Sequence, residues 1–156
     1  MKVIFLDVDG VLNSDEFFEN NTDDSYIDVK AVKLVKKVIE ETGAKIVVSS
    51  SFRYNQAFQE IQEILLRNGI LFEKTPFINN ERGKEIKKWL SEKSDIEDYV
   101  ILDDDIFEDF DEGLLSHLVK MEDNNTRGFG KGLQLKDIEK IIKRFGRIKS
   151  IKCDER

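Results

Sequence analysis

The stretch Val3-Ile4-Phe5-Leu6-Asp7-Val8-Asp9-Gly10-Val11 decides how the rest of the chain is read. Its first four residues form a short apolar run rich in β-branched and aromatic side chains, the pattern of a strand buried on both faces. Two carboxylates two residues apart follow at once, and then a glycine. Acids at the end of a buried strand are costly to desolvate unless something positive pairs with them. A hard dication such as Mg²⁺, bound through oxygens, meets that need. A pair of turn aspartates before Gly10 is the plainer alternative.

Similar runs recur at Ile46-Val47-Val48, Ile70-Leu71-Phe72, Val100-Ile101-Leu102 and Leu118-Val119. Amphipathic stretches separate them. Asp28 is placed to cap a helix carrying Val32, Val35 and Ile39 on one face and ended by Gly43. A second helix carries Phe58, Ile61 and Leu65 and stops at Asn68-Gly69. A third, after Gly83, carries Ile86, Trp89 and Leu90, and a last carries Ile138, Ile141, Ile142 and Phe145 before Gly146. This alternation predicts an α/β fold, a Rossmann-like parallel sheet of about five strands with helices on both faces. No repeat or Pro/Gly-rich linker interrupts it, so residues 1–156 are expected to form one domain. In such sheets ligands bind beyond the carboxyl ends of the strands, which makes the polar residues there the candidates.

Composition narrows the partners. With 40% hydrophobic and 37% charged residues the chain reads as soluble, and its net charge of −7 argues against unspecific binding along a nucleic-acid backbone. A single phosphate can still be held by a local basic pocket. The lone cysteine, Cys153, allows no disulfide within the chain and reads as an inert tail residue. The apolar run Val3–Leu6 is too short for a signal peptide or membrane span, so a cytoplasmic location is expected.

Two more strand ends carry suspicious chemistry. Asp103-Asp104-Asp105 follows Val100-Ile101-Leu102, and three adjacent acids there repel one another without a cation, unless they form a solvated loop. Ser49-Ser50-Ser51-Phe52-Arg53 follows the second strand. Its hydroxyls and N–H groups suit phosphate oxygens and Arg53 suits a bidentate contact, although a serine there also suits a helix cap.

Taken in order, Asp7-Val8-Asp9-Gly10-Val11, Ser49-Ser50, Arg82-Gly83-Lys84 and Leu102-Asp103-Asp104 resemble the four motifs of the haloacid dehalogenase (HAD) superfamily. The resemblance runs from the first strand to about residue 133. Val48-Ser49-Ser50-Ser51-Phe52-Arg53, Arg82 to Leu90 and Tyr99 to Asp105 look like a phosphatase branch, the HAD domain of Swiss-Army-knife RNA repair proteins. That branch is similar to the phosphatase half of polynucleotide kinase-phosphatases.

This resemblance implies an Mg²⁺-dependent phosphomonoesterase working through an aspartyl-phosphate on Asp7. Asp9 would protonate the leaving oxygen and then activate water. Metal ligation would come from the first motif (Asp7, Val8, Asp9) and from Asp103 and Asp104. Ser50, or Ser49 if the strand ends one residue earlier, would bind the phosphoryl group, with Arg53 beside them. The third-motif cation would be Arg82 or Lys84, with Arg82 favoured by its spacing from Ile86. The implied substrate is a phosphorylated molecule, either an RNA or DNA end or a nucleotide. A catalytically silent binding module and a phosphotransferase using the same aspartyl-phosphate are the rival readings.

Other features read as structural. His117 precedes a strand, Phe17-Phe18 suits packing or a lid, and Lys136, Lys140, Lys143, Arg144, Arg147 and Lys149 make a basic C-terminal segment that is either a solvated face or a holder of an anionic polymer. About 35 residues separate Asp9 from the second strand, and one helix uses most of them. No room remains for a substantial cap domain, only for a small lid within Asn13 to Tyr26.

Overall fold

The computed structural model describes residues 1–124 and 128–148; Lys149 and Cys153 lie outside the described residues. Five parallel strands, β1 (Lys2–Leu6), β2 (Lys45–Val48), β3 (Phe72–Lys74), β4 (Asp98–Asp103) and β5 (Leu118–Lys120), form one sheet in the order β3-β2-β1-β4-β5. The central strands alternate between two cores, as a period of two requires when both faces are covered. Ile4, Leu6, Ile46, Val48, Val100 and Leu102 pack with α2 (Val29–Thr42), α3 (Phe58–Arg67) and α6 (Leu135–Phe145). Val3, Phe5, Val47 and Ile101 pack on the other face with Ile86 and Trp89 of α4 (Arg82–Ser91) and Leu114 of α5 (Glu112–Leu115).

Local chemistry explains the helix ends. The Asp28 carboxylate accepts the Lys30 N–H at 2.9 Å, and Gly43 closes α2 at φ 73°, a left-handed conformation that favours glycine. Gln134 and Asp137 form a capping box at the start of α6. The third strand differs from the predicted Ile70–Phe72 and runs from Phe72 to Lys74. Ile70 is buried before it in a loop tied back to α3, while Leu71 is 79% exposed. An apolar run marked the burial but not the hydrogen-bonded register. Helix α4 starts at Arg82 rather than after Gly83.

Between β1 and α2 there is only a short helix, α1 (Asp15–Asn20), so no substantial cap is inserted there. Asp15 ties α1 to the far loop by accepting the Phe129 N–H at 2.8 Å and the Asn124 amide at 2.8 Å. Among the described residues, no helix is long and apolar enough to cross a membrane.

Candidate active site

The strand order reverses at β1, with β2 on one side and β4 on the other, which opens a crevice at the carboxyl ends. The register pairs Leu6 with both Val48 and Leu102, so the next residues, Ser49, Asp7 and Asp103, lie side by side. The Asp7 N–H donates to the Leu102 carbonyl at 3.2 Å and the Ser49 N–H to the Leu6 carbonyl at 2.9 Å. All three follow residues of the α4-side core by two positions and therefore face α4.

From that face comes Arg82, the first residue of α4. Its Nη1 lies 2.6 Å from Asp103 Oδ2 and 3.8 Å from Asp7 Oδ1. The Phe107 ring lies 4.3 Å from the guanidinium carbon. The helix start is held by Asp109, whose carboxylate accepts the N–H groups of Gly83 at 2.9 Å and Lys84 at 3.0 Å.

Carboxylate oxygens of Asp7, Asp103 and Asp104 lie within 4.8 Å of one another. Burial, and then the charge of Asp7, push Asp103 up to about 9 and Asp104 up to about 6, with Arg82 opposing the rise at Asp103. Asp7 is raised as well, by burial first and against the pull of Arg82. One guanidinium cannot neutralise three carboxylates. The all-oxygen donor set and the uncompensated charge fit a hard dication, and Asp7, Asp103 and Asp104 would hold it. Gly10 allows this approach: at φ +77°, a Cβ added there would meet Asp104 Oδ2 at 2.1 Å.

Asp9 does not join the three acids through its side chain; its Oδ1 accepts the Tyr26 O–H at 2.5 Å and faces the Asn13 amide at 3.4 Å. Ser49 Oγ is fully buried with no hydrogen-bond partner beside Asp7, an orphaned donor suited to a phosphoryl oxygen. Ser50 Oγ accepts the Phe52 N–H at 3.2 Å, capping a short 3-10 turn over Ser51–Tyr54.

The side chains of three expected site residues lie elsewhere. Arg53 is buried and used up internally: its Nε donates to the Thr75 carbonyl, Nη1 to Ser50 and Nη2 to Pro76, and Glu85 pairs with Nη2 at 3.0 Å. Lys84 points to solvent and pairs with Glu81 at 2.8 Å, which raises its pKa, because one helical turn cannot turn both residue 82 and residue 84 to the crevice. The Val8 side chain is in the core, and its carbonyl accepts the N–H groups of Val11 at 3.1 Å and Leu12 at 2.8 Å. Those bonds make the turn that follows Asp7.

Asn13, Tyr26, Phe107 and Asp109 are neighbours of the site that sequence reasoning missed. Asn13 had a faint cue, an asparagine three residues after a turn glycine whose N–H it accepts at 2.7 Å. Tyr26 had none, since it reaches Asp9 across 17 residues of chain.

No curated protein and no solved structure matches the chain. The family described as the HAD domain in Swiss Army Knife RNA repair proteins matches residues 3–131, a span that runs from within β1 through β5 and includes the three strand-end clusters and the start of α4. The chain belongs to that family of HAD domains.

Proposed function

We propose that the protein is an Mg²⁺-dependent phosphomonoesterase that uses Asp7 as its nucleophile, within one domain. One observation carries this reading: Asp7 shares a buried crevice with Asp103 and Asp104, where three carboxyl groups face a single guanidinium, that of Arg82. An Asp7 oxygen attacks phosphorus, and the bond to the leaving oxygen breaks with its electron pair on that oxygen, which takes a proton from Asp9. Water then attacks the aspartyl-phosphate and gives its proton to Asp9. The Asp7 carboxylate departs, and inorganic phosphate is the product. Arg82 bridges Asp7 and the phosphoryl oxygens, and Ser49 donates to one of them. Bound Mg²⁺ would supply charge neutralisation between two anions that otherwise repel.

Family membership and the lack of a substantial inserted cap support a terminal phosphate of an RNA or DNA end as the substrate. Two arginines of the basic C-terminal segment are poorly placed to track a longer strand, whereas Lys136 pairs with Glu122 just past the carboxyl end of β5, on the side of the crevice. Arg144 pairs with Asp98 at the start of β4, and Arg147 pairs with Glu41 just before β2. Both pairs lie at the end of the sheet opposite Asp7.

The test is turnover of 3′- and 5′-phosphorylated oligonucleotides, the matching mononucleotides and an aryl phosphate, with Mg²⁺ and with chelator. Asp7→Asn should lower turnover by orders of magnitude while the fold persists, and chelation should do so reversibly. Full activity in chelator, or in Asp7→Asn, would sink the mechanism. A preference for free mononucleotides would replace the nucleic-acid end with a metabolite.

A further inference from the structure

The loop between β1 and α2 brings two side chains to Asp9. The Tyr26 hydroxyl donates to Asp9 Oδ1 at 2.5 Å, and Asn13 Nδ2 lies 3.4 Å from the same oxygen. Asn13 is itself fixed: it is buried, its Oδ1 accepts the Gly10 N–H, and its Nδ2 donates to the Tyr26 carbonyl at 3.2 Å. The Tyr26 ring is held from two sides. It meets Phe52 edge-on at 6.2 Å, just after the serine turn, and Phe18 at 5.5 Å, which leans on Phe129 at 5.1 Å. Burial, and then the bond to Asp9, raise the Tyr26 pKa, so its hydroxyl remains a donor at neutral pH.

We propose that Tyr26 is a positioning residue for Asp9, clamping Oδ1 together with Asn13 so that the transferred proton travels on Oδ2. The proposal rests on Asp9 acting as the general acid and base. Aligned groups gain much of their rate from being held in one geometry, and a short carboxylate at a loop has two torsions to restrain. The side chains of Asp7, Asp103 and Asp104 make none of these contacts, so removing the Tyr26 hydroxyl leaves the hydrogen bonds of the acidic cluster in place.

Tyr26→Phe keeps the ring and its aromatic neighbours and removes only the hydroxyl. The telling measurement is kcat/KM, which reports steps up to phosphoryl transfer, for two esters. An alkyl phosphate needs its leaving oxygen protonated, whereas a p-nitrophenyl phosphate does not. Tyr26→Phe should reduce kcat/KM for the alkyl ester by about 10- to 100-fold, a fraction of the roughly 10²- to 10⁴-fold that general-acid catalysis contributes, and for the aryl ester by about threefold or less. In an Asp9→Asn background the same substitution should have almost no effect on either ester. The Mg²⁺-induced shift in Tm should be the same with and without the hydroxyl. Equal losses for both esters, or a loss that persists without Asp9, would overturn the clamp. Failure of the phosphatase reading would look different: no turnover of either ester by the unmodified protein, or Asp7→Asn at full rate, and either would remove the basis for the clamp.

Discussion

Two buried arginines stand a few residues from the same crevice, and only one of them faces it. Arg53 is 1% exposed and Arg82 7% exposed, so burial does not separate them. Their partners do. Arg53 meets one carboxylate, Glu85, and gives three more of its five N–H groups to backbone carbonyls, all within the scaffold. Arg82 contacts the carboxyl groups of Asp103 and Asp7, with a third beside them, so one guanidinium faces three acids. A balanced buried pair is architecture, and an unbalanced acidic cluster favours binding of a cation. The two are linked, because Glu85 lies one turn after Arg82 in α4. The Arg53–Glu85 pair anchors the helix that aims Arg82.

The comparison is broken most easily by removing each arginine. Arg53→Ala leaves Glu85 buried without its cation, which should lower unfolding stability by about 3–5 kcal/mol in a denaturant titration. Activity per folded molecule should fall much less than it does on losing Arg82. Arg82→Ala should lower kcat/KM by about 10²–10³-fold, the scale of one lost electrostatic contact to the reacting group. Lys84→Ala, at an exposed position, should stay within about twofold of the unmodified rate. Exchange of the two arginine phenotypes would mean that charge balance does not distinguish scaffold from site.

Metal addition sharpens the same contrast. Mg²⁺ at about a hundred times its Kd should stabilise the fold by about 2.7 kcal/mol, seen as a rise in Tm. Asp104→Asn removes one of the crowded charges, so it should cancel most of that rise without destabilising the metal-free protein. Asp104→Asn retaining the full Mg²⁺ response would place the ion elsewhere. Gly10→Ala should cost about 1–2 kcal/mol for the left-handed backbone alone. Its Cβ would also displace Asp104, so the Mg²⁺ response should weaken in parallel, as a metal titration followed by Tm can check.

How far these contrasts were legible in the sequence depended on distance along the chain. β1, β2 and β4, the α2 caps and the C-terminal stop of α3 were readable because buried strands and caps are local patterns. Asp7, Asp103 and Asp104 were readable as acids at strand ends, and the parallel register then brings them together. Arg53 misled because an arginine after a serine turn has the same local appearance whether it faces a phosphate or Glu85, 32 positions along the chain. Tyr26 was invisible for the same reason. The short helices α1 and α5 were missed because four to six residues carry too little periodicity to be recognised.

The smallest expected effect lies at the other end of the sheet, where a balanced pair is exposed instead of buried. Arg144 donates to both oxygens of Asp98, at 2.7 and 3.0 Å, and to the Ser116 carbonyl at 2.8 Å. Burial raises the Asp98 pKa, but the bond to Arg144, the Tyr99 N–H and the charges of Arg144 and His117 outweigh it, leaving a net value below 3.8. A carboxylate whose folded pKa is depressed contributes stability above its unfolded pKa and loses it as pH falls through the folded one. Arg144→Ala should therefore cost no more than about 1 kcal/mol at pH 7, because the pair is partly open to water and screened. The charge-dependent part of that difference should shrink as pH drops below about 3.8, which paired denaturant titrations can follow. kcat/KM for phosphorylated oligonucleotides should be unchanged, because Asp98 begins the strand that Asp103 ends. A loss of oligonucleotide turnover in Arg144→Ala, with mononucleotide turnover intact, would bring the basic helix into substrate recognition and extend the site well beyond the crevice.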